Sequence, residues 1–176
     1  MMENVTEDLK KYIRDIPDFP KKGIIFKDIT TLLSHKDAFK KVIDIFTERY
    51  RDKKIDKIVA ADARGFIFGG VLAHELNAGF VPVRKKGKLP YKTISADYEL
   101  EYGTDTLYVH EDAISAEERV LVVDDLLATG GTAKATCDLV KRLGGDIIEL
   151  AFMIELSFLN GRDKLKGYPV FSQIVY

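Results

Sequence analysis

The chain has 176 residues and nearly balanced charge, 27 Lys plus Arg against 28 Asp plus Glu, for a formal net charge of −1. That balance argues against a dedicated nucleic-acid surface, and the single Cys137 excludes an intrachain disulfide framework and fits a reducing cytosol. No apolar run approaches the ~18 residues of a membrane span, and the polar, acidic start is unlike a secretory signal, so a cytoplasmic location is expected.

The length suits one domain, residues 1–176, that buries roughly 70% of the unfolded chain's surface. Thr6 to Ile16 reads as an amphipathic helix with Leu9, Tyr12, Ile13 and Ile16 on one face, stopped by Pro17 and Pro20. Residues 17–33 read as an irregular connector. Ser34 and Asp37 resemble a capping box for a second helix, whose stripe is Phe39, Val42, Ile43, Phe46 and Tyr50. Lys57 to Asp62 reads as a short strand ending in a carboxylate, and Gly65 to Leu76 as an apolar helix. Phe80 to Val83 reads as a strand leading into the basic run Arg84, Lys85, Lys86 and Lys88. Residues 89–105 are polar and Tyr-rich and read as a long mobile loop. Thr106 to His110 and Val120 to Asp124 read as strands. Thr132 to Leu143 reads as a helix with Ala133, Cys137, Val140 and Leu143 inward, ended by Gly144 and Gly145. Ile147 to Leu156 and Phe171 to Val175 complete the strands.

Strands alternating with helices predict an α/β fold with a mostly parallel central sheet flanked by helices. Ligands of such sheets bind outside the strand C-termini, where Asp62, Arg84 and Asp124 fall. The most informative stretch begins at Val120. Four apolar residues deliver two adjacent acids, Asp124 and Asp125, and then come Ala128, Thr129, Gly130, Gly131 and Thr132 at a helix start. Outward N–H groups, hydroxyls and the helix dipole there suit a phosphate. Neighbouring carboxylates repel and need solvent, a cation or ligand hydroxyls. Together they predict a site for a phosphorylated ribose. The three His residues match no zinc spacing and read as structural or solvated.

The apolar strand, paired acids and Gly/Thr turn resemble the phosphoribosyl diphosphate motif of the type I phosphoribosyltransferases. Three further stretches narrow the resemblance to the adenine-specific members of that family. Ile16 to Ile29 resembles their N-terminal signature, Ala63 to Gly69 and Arg84 to Pro90 their diphosphate side, and Leu100 to Gly103 their catalytic loop. These run in family order from about residue 12 to 156.

The resemblance implies a glycosyltransferase of purine salvage that joins adenine to phosphoribosyl diphosphate and yields AMP and diphosphate. It implies that Ala128, Thr129, Gly130, Gly131 and Thr132 hold the 5-phosphate, and that Asp124 and Asp125 take the ribose hydroxyls. Ala63, Arg64, Arg84, Lys85 and Lys88 would meet the diphosphate, with a non-proline cis peptide expected at Asp62-Ala63. Glu101 would accept the proton of adenine, and Tyr102 would cover the site, with Tyr91 and Tyr98 as further candidates. Ile25, Phe26 and Lys27 would read the base, Phe26 by stacking, from a hood formed by approximately residues 1–33. Lys27 stands where related enzymes often carry Arg, and the two differ if the side chain is used. Mg²⁺ would be held mainly through substrate and water rather than by protein ligands, and a homodimer is implied. Two other readings stay open at this point: a non-catalytic sensor of phosphoribosyl diphosphate acting on nucleic acid, and an enzyme for hypoxanthine, guanine or xanthine.

Overall fold

The computed structural model describes residues 7–99 and 103–176, which fall in two compact units, Met1–Ile45 and Phe46–Tyr176. In the first unit, helix α1 is described over residues 7–10 and ends far short of Ile16. Turn bonds from Tyr12 N–H to Leu9 O and from Ile13 N–H to Lys10 O close it. Strand β1 (Arg14–Pro17) follows and pairs antiparallel with β2 (Ile25–Asp28). The expected helix therefore stops early, and the expected connector contains a strand. The physical reason is Pro17, which pushes Ile16 toward extended backbone, where the ladder to Phe26 supplies its partner. Leu9 and Ile13 of the expected stripe are buried all the same.

Cross-strand charges reinforce this small sheet. Arg14 donates to Asp28 through Nη2 at 2.6 Å and Nε at 3.1 Å, and Lys27 Nζ donates to Asp15 at 2.7 Å. Asp28 also accepts from the Thr30 N–H and hydroxyl, both at 2.9 Å, at the start of α2 (Thr30–Ser34). The long helix α3 (Lys36–Tyr50) buries Val42, Ile43, Phe46 and Tyr50 at the spacing read from the sequence. Its N-terminus is not the capping box expected from Ser34 and Asp37. Ser34 Oγ donates back to Thr31 O, and the ring of His35 accepts the Ala38 N–H at 3.3 Å instead.

The second unit is built on a seven-stranded sheet in the order β5-β6-β4-β3-β7-β8-β9. Its strands are β3 (Lys57–Ala61), β4 (Gly79–Lys85), β5 (Thr93–Glu99), β6 (Thr104–His110), β7 (Arg119–Leu127), β8 (Asp146–Glu155) and β9 (Val170–Val175). The five from β4 to β9 in that order are parallel, and β5 and β6 form an antiparallel hairpin at one edge. Helix α4 (Gly65–Glu75) packs on β3, where Gly69 stands against Ala60. Helix α5 (Gly131–Arg142) buries Ala133, Cys137 and Val140, as its pattern predicts, while Leu143 is partly buried just past its end. Burial pushes the Cys137 thiol up to about 12, so its part is packing. N–H groups of Gly144 and Gly145 bond back to Lys141 O and Val140 O and end α5 where expected.

The segment read as a long mobile loop is the main correction. Seven of its residues, Thr93 to Glu99, form β5 and pair residue for residue with β6. Ile94, Ala96 and Tyr98 alternate and pack against the buried core.

Candidate functional site

Where neighbouring strands stop decides where the cleft opens. β3 leaves β7 after the pair Ala60–Val123, yet β8 stays paired with β7 as far as Leu127–Glu155. Asp124 and Asp125 therefore sit within β7 rather than at its end, with one flank of the strand released. The chain leaving β3 fills that flank with Asp62, Ala63 and Arg64, and the Asp62-Ala63 peptide is cis, as the family resemblance implied. A cleft of about 410 Å³ results, within the usual range of ligand sites. Ala63, Arg64, Asp124, Asp125, Ala128, Thr129, Gly130, Gly131 and Thr132, nine of the expected site residues, line it.

The paired acids are not equivalent. Asp125 is buried and receives Arg64 Nε at 2.7 Å. Asp124 Oδ1 accepts the Asp125 N–H at 2.9 Å, but burial and the Asp125 charge together hold its carboxyl well above the usual carboxylate range. Gly65 gives Asp124 its room, since a β-carbon there would stand 2.9 Å from Oδ1. The site thus presents one carboxylate already satisfied by a cation and one that favours the proton. Hydroxyls of a sugar could satisfy the second.

The loop after β7 is shaped for an anion. Gly130, at φ 79°, caps α5 with no side-chain hydrogen bond, which leaves the first-turn N–H groups for a ligand. Its close fit was invisible in the sequence. The carbonyl oxygen of Gly161 lies where a Gly130 β-carbon would stand, and Ala128 O lies where a Gly161 β-carbon would stand. The only local hint was the turn-forming pair Asn160-Gly161. From the hairpin, Tyr98 and Glu99 also line the cleft, with Glu99 O 3.0 Å from a would-be β-carbon on Gly131. Sequence reasoning missed Glu99, though the alternation of Thr93 to Glu99 was a signal for the strand that brings it there.

The basic run behaves differently from the turn. Arg84 Nε donates to Asp62 at 3.2 Å, and Arg84 Nη1 to Lys88 O at 3.4 Å. Lys85 Nζ sits 2.8 Å from Asp105 on β6, which also accepts the Tyr98 hydroxyl at 3.3 Å. None of Arg84, Lys85 and Lys88 lines the cleft, but Arg84 holds Asp62, which does. Tyr91 is exposed, with its ring edge-on to His110. Ile25, Phe26 and Lys27 lie on β2 in the first unit. Ile25 is 55% exposed, so it plugs no core, and Phe26 meets Phe19 edge-on at 5.2 Å. Lys27 uses its side chain on Asp15. Glu101 and Tyr102 lie outside the described residues.

Among the described residues no three His, Cys, Asp or Glu side chains converge to hold a metal. A divalent cation at this cleft would take most of its ligands from substrate oxygens and water, with Asp124 or Asp125 contributing at most through water. No described helix is long and apolar enough to cross a membrane.

Residues 28–172 match the family model described as phosphoribosyl transferase domain. An adenine phosphoribosyltransferase of Thermotoga sp. (strain RQ2) is 59% identical over 169 residues, covering 96% of this chain and 99% of that protein. One from Brachyspira hyodysenteriae is 61% identical over 169 residues with the same coverage. The crystal structure of adenine phosphoribosyltransferase from Thermoanaerobacter pseudethanolicus superposes with a TM-score of 0.94 at 53% identity, covering 97% of this chain and 99% of that one. The Saccharomyces cerevisiae enzyme, complexed with an imino-altritol bisphosphate and adenine, superposes with a TM-score of 0.92 at 43% identity, covering 98% and 99%.

Proposed function

This chain belongs to the phosphoribosyltransferase family and, within it, to the adenine phosphoribosyltransferases, and from that premise we propose how its residues move a 5-phosphoribosyl group from phosphoribosyl diphosphate to adenine, giving AMP and diphosphate. One observation carries the assignment of roles: paired acids, an uncapped helix start and the Asp62–Arg64 turn share one cleft. The 5-phosphate takes the N–H groups of Ala128 to Thr132 and the hydroxyls of Thr129 and Thr132. Asp124 and Asp125 take the ribose hydroxyls.

The bond from the anomeric carbon to diphosphate breaks with its electron pair leaving on diphosphate. A ring nitrogen of adenine forms the new bond and gives up its proton. Negative charge grows on the leaving group, so Arg64 and Arg84, with Lys85 and Lys88 freed from Asp105 and the solvent, serve as its counter-charges. Mg²⁺, held mainly through substrate and water with Asp124 and Asp125 reaching it through water, would supply further positive charge at the leaving group. Glu101 takes the proton of adenine, a help typically worth ~10²–10⁴-fold, and Tyr102 shields the sugar. The flanking strands β5 and β6 pair from Thr93–His110 to Glu99–Thr104. Ile25 and Lys27 read the amino group and ring nitrogens through backbone groups, and Phe26 stacks on the base. Two copies are proposed to pair, using the outer face of α4, where Ile67 is exposed, and the working location is the cytoplasm.

The test is AMP formation from phosphoribosyl diphosphate with adenine, hypoxanthine, guanine or xanthine, with and without Mg²⁺. Product with adenine only, and only with the metal, is expected. Glu101→Gln should keep the fold and lose about 10²-fold or more in turnover. Unchanged turnover would remove Glu101 from the chemistry.

A further inference from the structure

The phosphate loop leans on a part of the chain that the cleft does not include. Ala128 and Gly130 both abut the backbone of Gly161. Gly161 opens a 3₁₀ turn (Gly161–Leu165), and such short turns have little stability of their own. Leu165 anchors the far end of the turn in the core. The near end is held by the residue next to Gly161. Arg162 forks onto Glu155 through Nε at 2.7 Å and Nη2 at 2.6 Å, and its Nη1 donates to Val170 O at 3.2 Å. The Ser172 hydroxyl donates to the same Glu155 carboxylate at 2.7 Å. Glu155 is only 5% exposed and pairs in register with Leu127, the last residue before the loop. One buried carboxylate thus ties the end of β8, the edge strand β9 and the turn behind the loop.

We propose that the Arg162–Glu155 pair positions the 5-phosphate loop: it fixes Gly161, and Gly161 fixes Ala128 and Gly130. The proposal rests on reading the cleft as the phosphoribosyl site. Arg162 does not line the cleft, so it is a positioning residue and not a catalytic one. A two-pronged guanidinium sets orientation as well as distance, which a Lys ammonium does not. The hydrogen bond from Arg162 holds the Glu155 carboxyl below its ordinary value, in keeping with a charged pair.

The same strand supplies a matched control. Glu149, toward the opposite end of β8, accepts a second fork from Arg49 through Nε at 2.9 Å and Nη2 at 2.7 Å. That guanidinium lies 4.0 Å over the Phe171 ring, and neither partner lines the cleft. Both pairs hold secondary structure together, but only one stands behind the loop.

The experiment compares Arg162→Lys with Arg49→Lys. It measures melting temperature, ribose 5-phosphate affinity by calorimetry, and KM for each substrate. Arg162→Lys should weaken ribose 5-phosphate and raise the KM for phosphoribosyl diphosphate by about 10-fold or more, with the KM for adenine within about 2-fold. Arg49→Lys should lower the melting temperature comparably and leave all three binding values unchanged. Glu155→Gln and Ser172→Ala should follow Arg162→Lys, the latter more weakly, and they carry the comparison if the Lys variant does not fold. Ribose 5-phosphate binding unaltered in Arg162→Lys, or weakened equally in Arg49→Lys, overturns the inference alone. A wild-type protein that neither binds ribose 5-phosphate nor forms AMP overturns the reading of the cleft as well.

Discussion

Gly130→Ala tests the packing behind the phosphate loop. Two costs meet at this position. The backbone is left-handed, at φ 79°, which costs an L-residue about 1–2 kcal/mol. The new methyl also meets the Gly161 carbonyl, where neither side is a flexible side chain. Overpacking of that kind adds about 1–3 kcal/mol. The sum is about 2–5 kcal/mol, and at ~2–4 °C per kcal/mol for a domain of this size the melting point should fall by roughly 4–20 °C. Gly167→Ala separates the two costs. Gly167 also has positive φ, 94°, but a β-carbon there meets nothing within 4 Å. Only the backbone cost applies, so roughly 2–8 °C is expected. Function should part more sharply than stability. A loop displaced by about 1 Å loses on the order of 10²-fold in kcat/KM for phosphoribosyl diphosphate, whereas Gly167→Ala should be near wild type. Differential scanning calorimetry and steady-state kinetics read both effects. A Gly130→Ala protein no less stable than Gly167→Ala, with unchanged kcat/KM, would refute the close fit of loop and turn.

Because the folded state holds Asp124 above its ordinary value, the free protein binds that proton more tightly than the unfolded chain, and stability is lost as pH rises from about 4 toward the folded value. Asp124→Asn should therefore melt higher than wild type at neutral pH, with the gain shrinking toward pH 4, while ribose 5-phosphate binding falls. A variant that melts lower at pH 7 would contradict this. Asp28 is the opposite case. The Arg14 fork and two bonds from Thr30 hold its carboxyl down at about 2, so its contribution is present above the unfolded value and lost as pH falls through that of the folded state. Asp28→Asn should lower the melting point at pH 7, and the difference should disappear near pH 2. A difference constant across that window would mean that the ion pair contributes nothing.

Thr6 to Ile16 has helical spacing, but spacing describes a face and not the backbone that presents it. Leu9 and Ile13 are buried as expected, and the chain still turns into a strand before Pro17. Residues 93–99 alternate Ile94, Ala96 and Tyr98 with polar residues, a strand signal weakened by the small Ala96 and the flanking charges. His35 takes the place of the expected Ser34 cap because an imidazole nitrogen can accept a first-turn N–H group, here that of Ala38.

The parallel sheet, the paired acids and the Gly/Thr turn were legible because they are contiguous: apolar run, acids and helix start follow one another within a dozen residues. Local chemistry of that kind needs no partner to be recognised. Tertiary structure alone decided that β3 releases β7 just before Asp124, that Arg64 pairs with Asp125 while burial raises the Asp124 carboxyl, and that Gly161 stands behind Gly130. Each of those depends on residues about thirty to sixty positions apart brought to contact by sheet register, and register is a property of strands paired together rather than of any one stretch of chain.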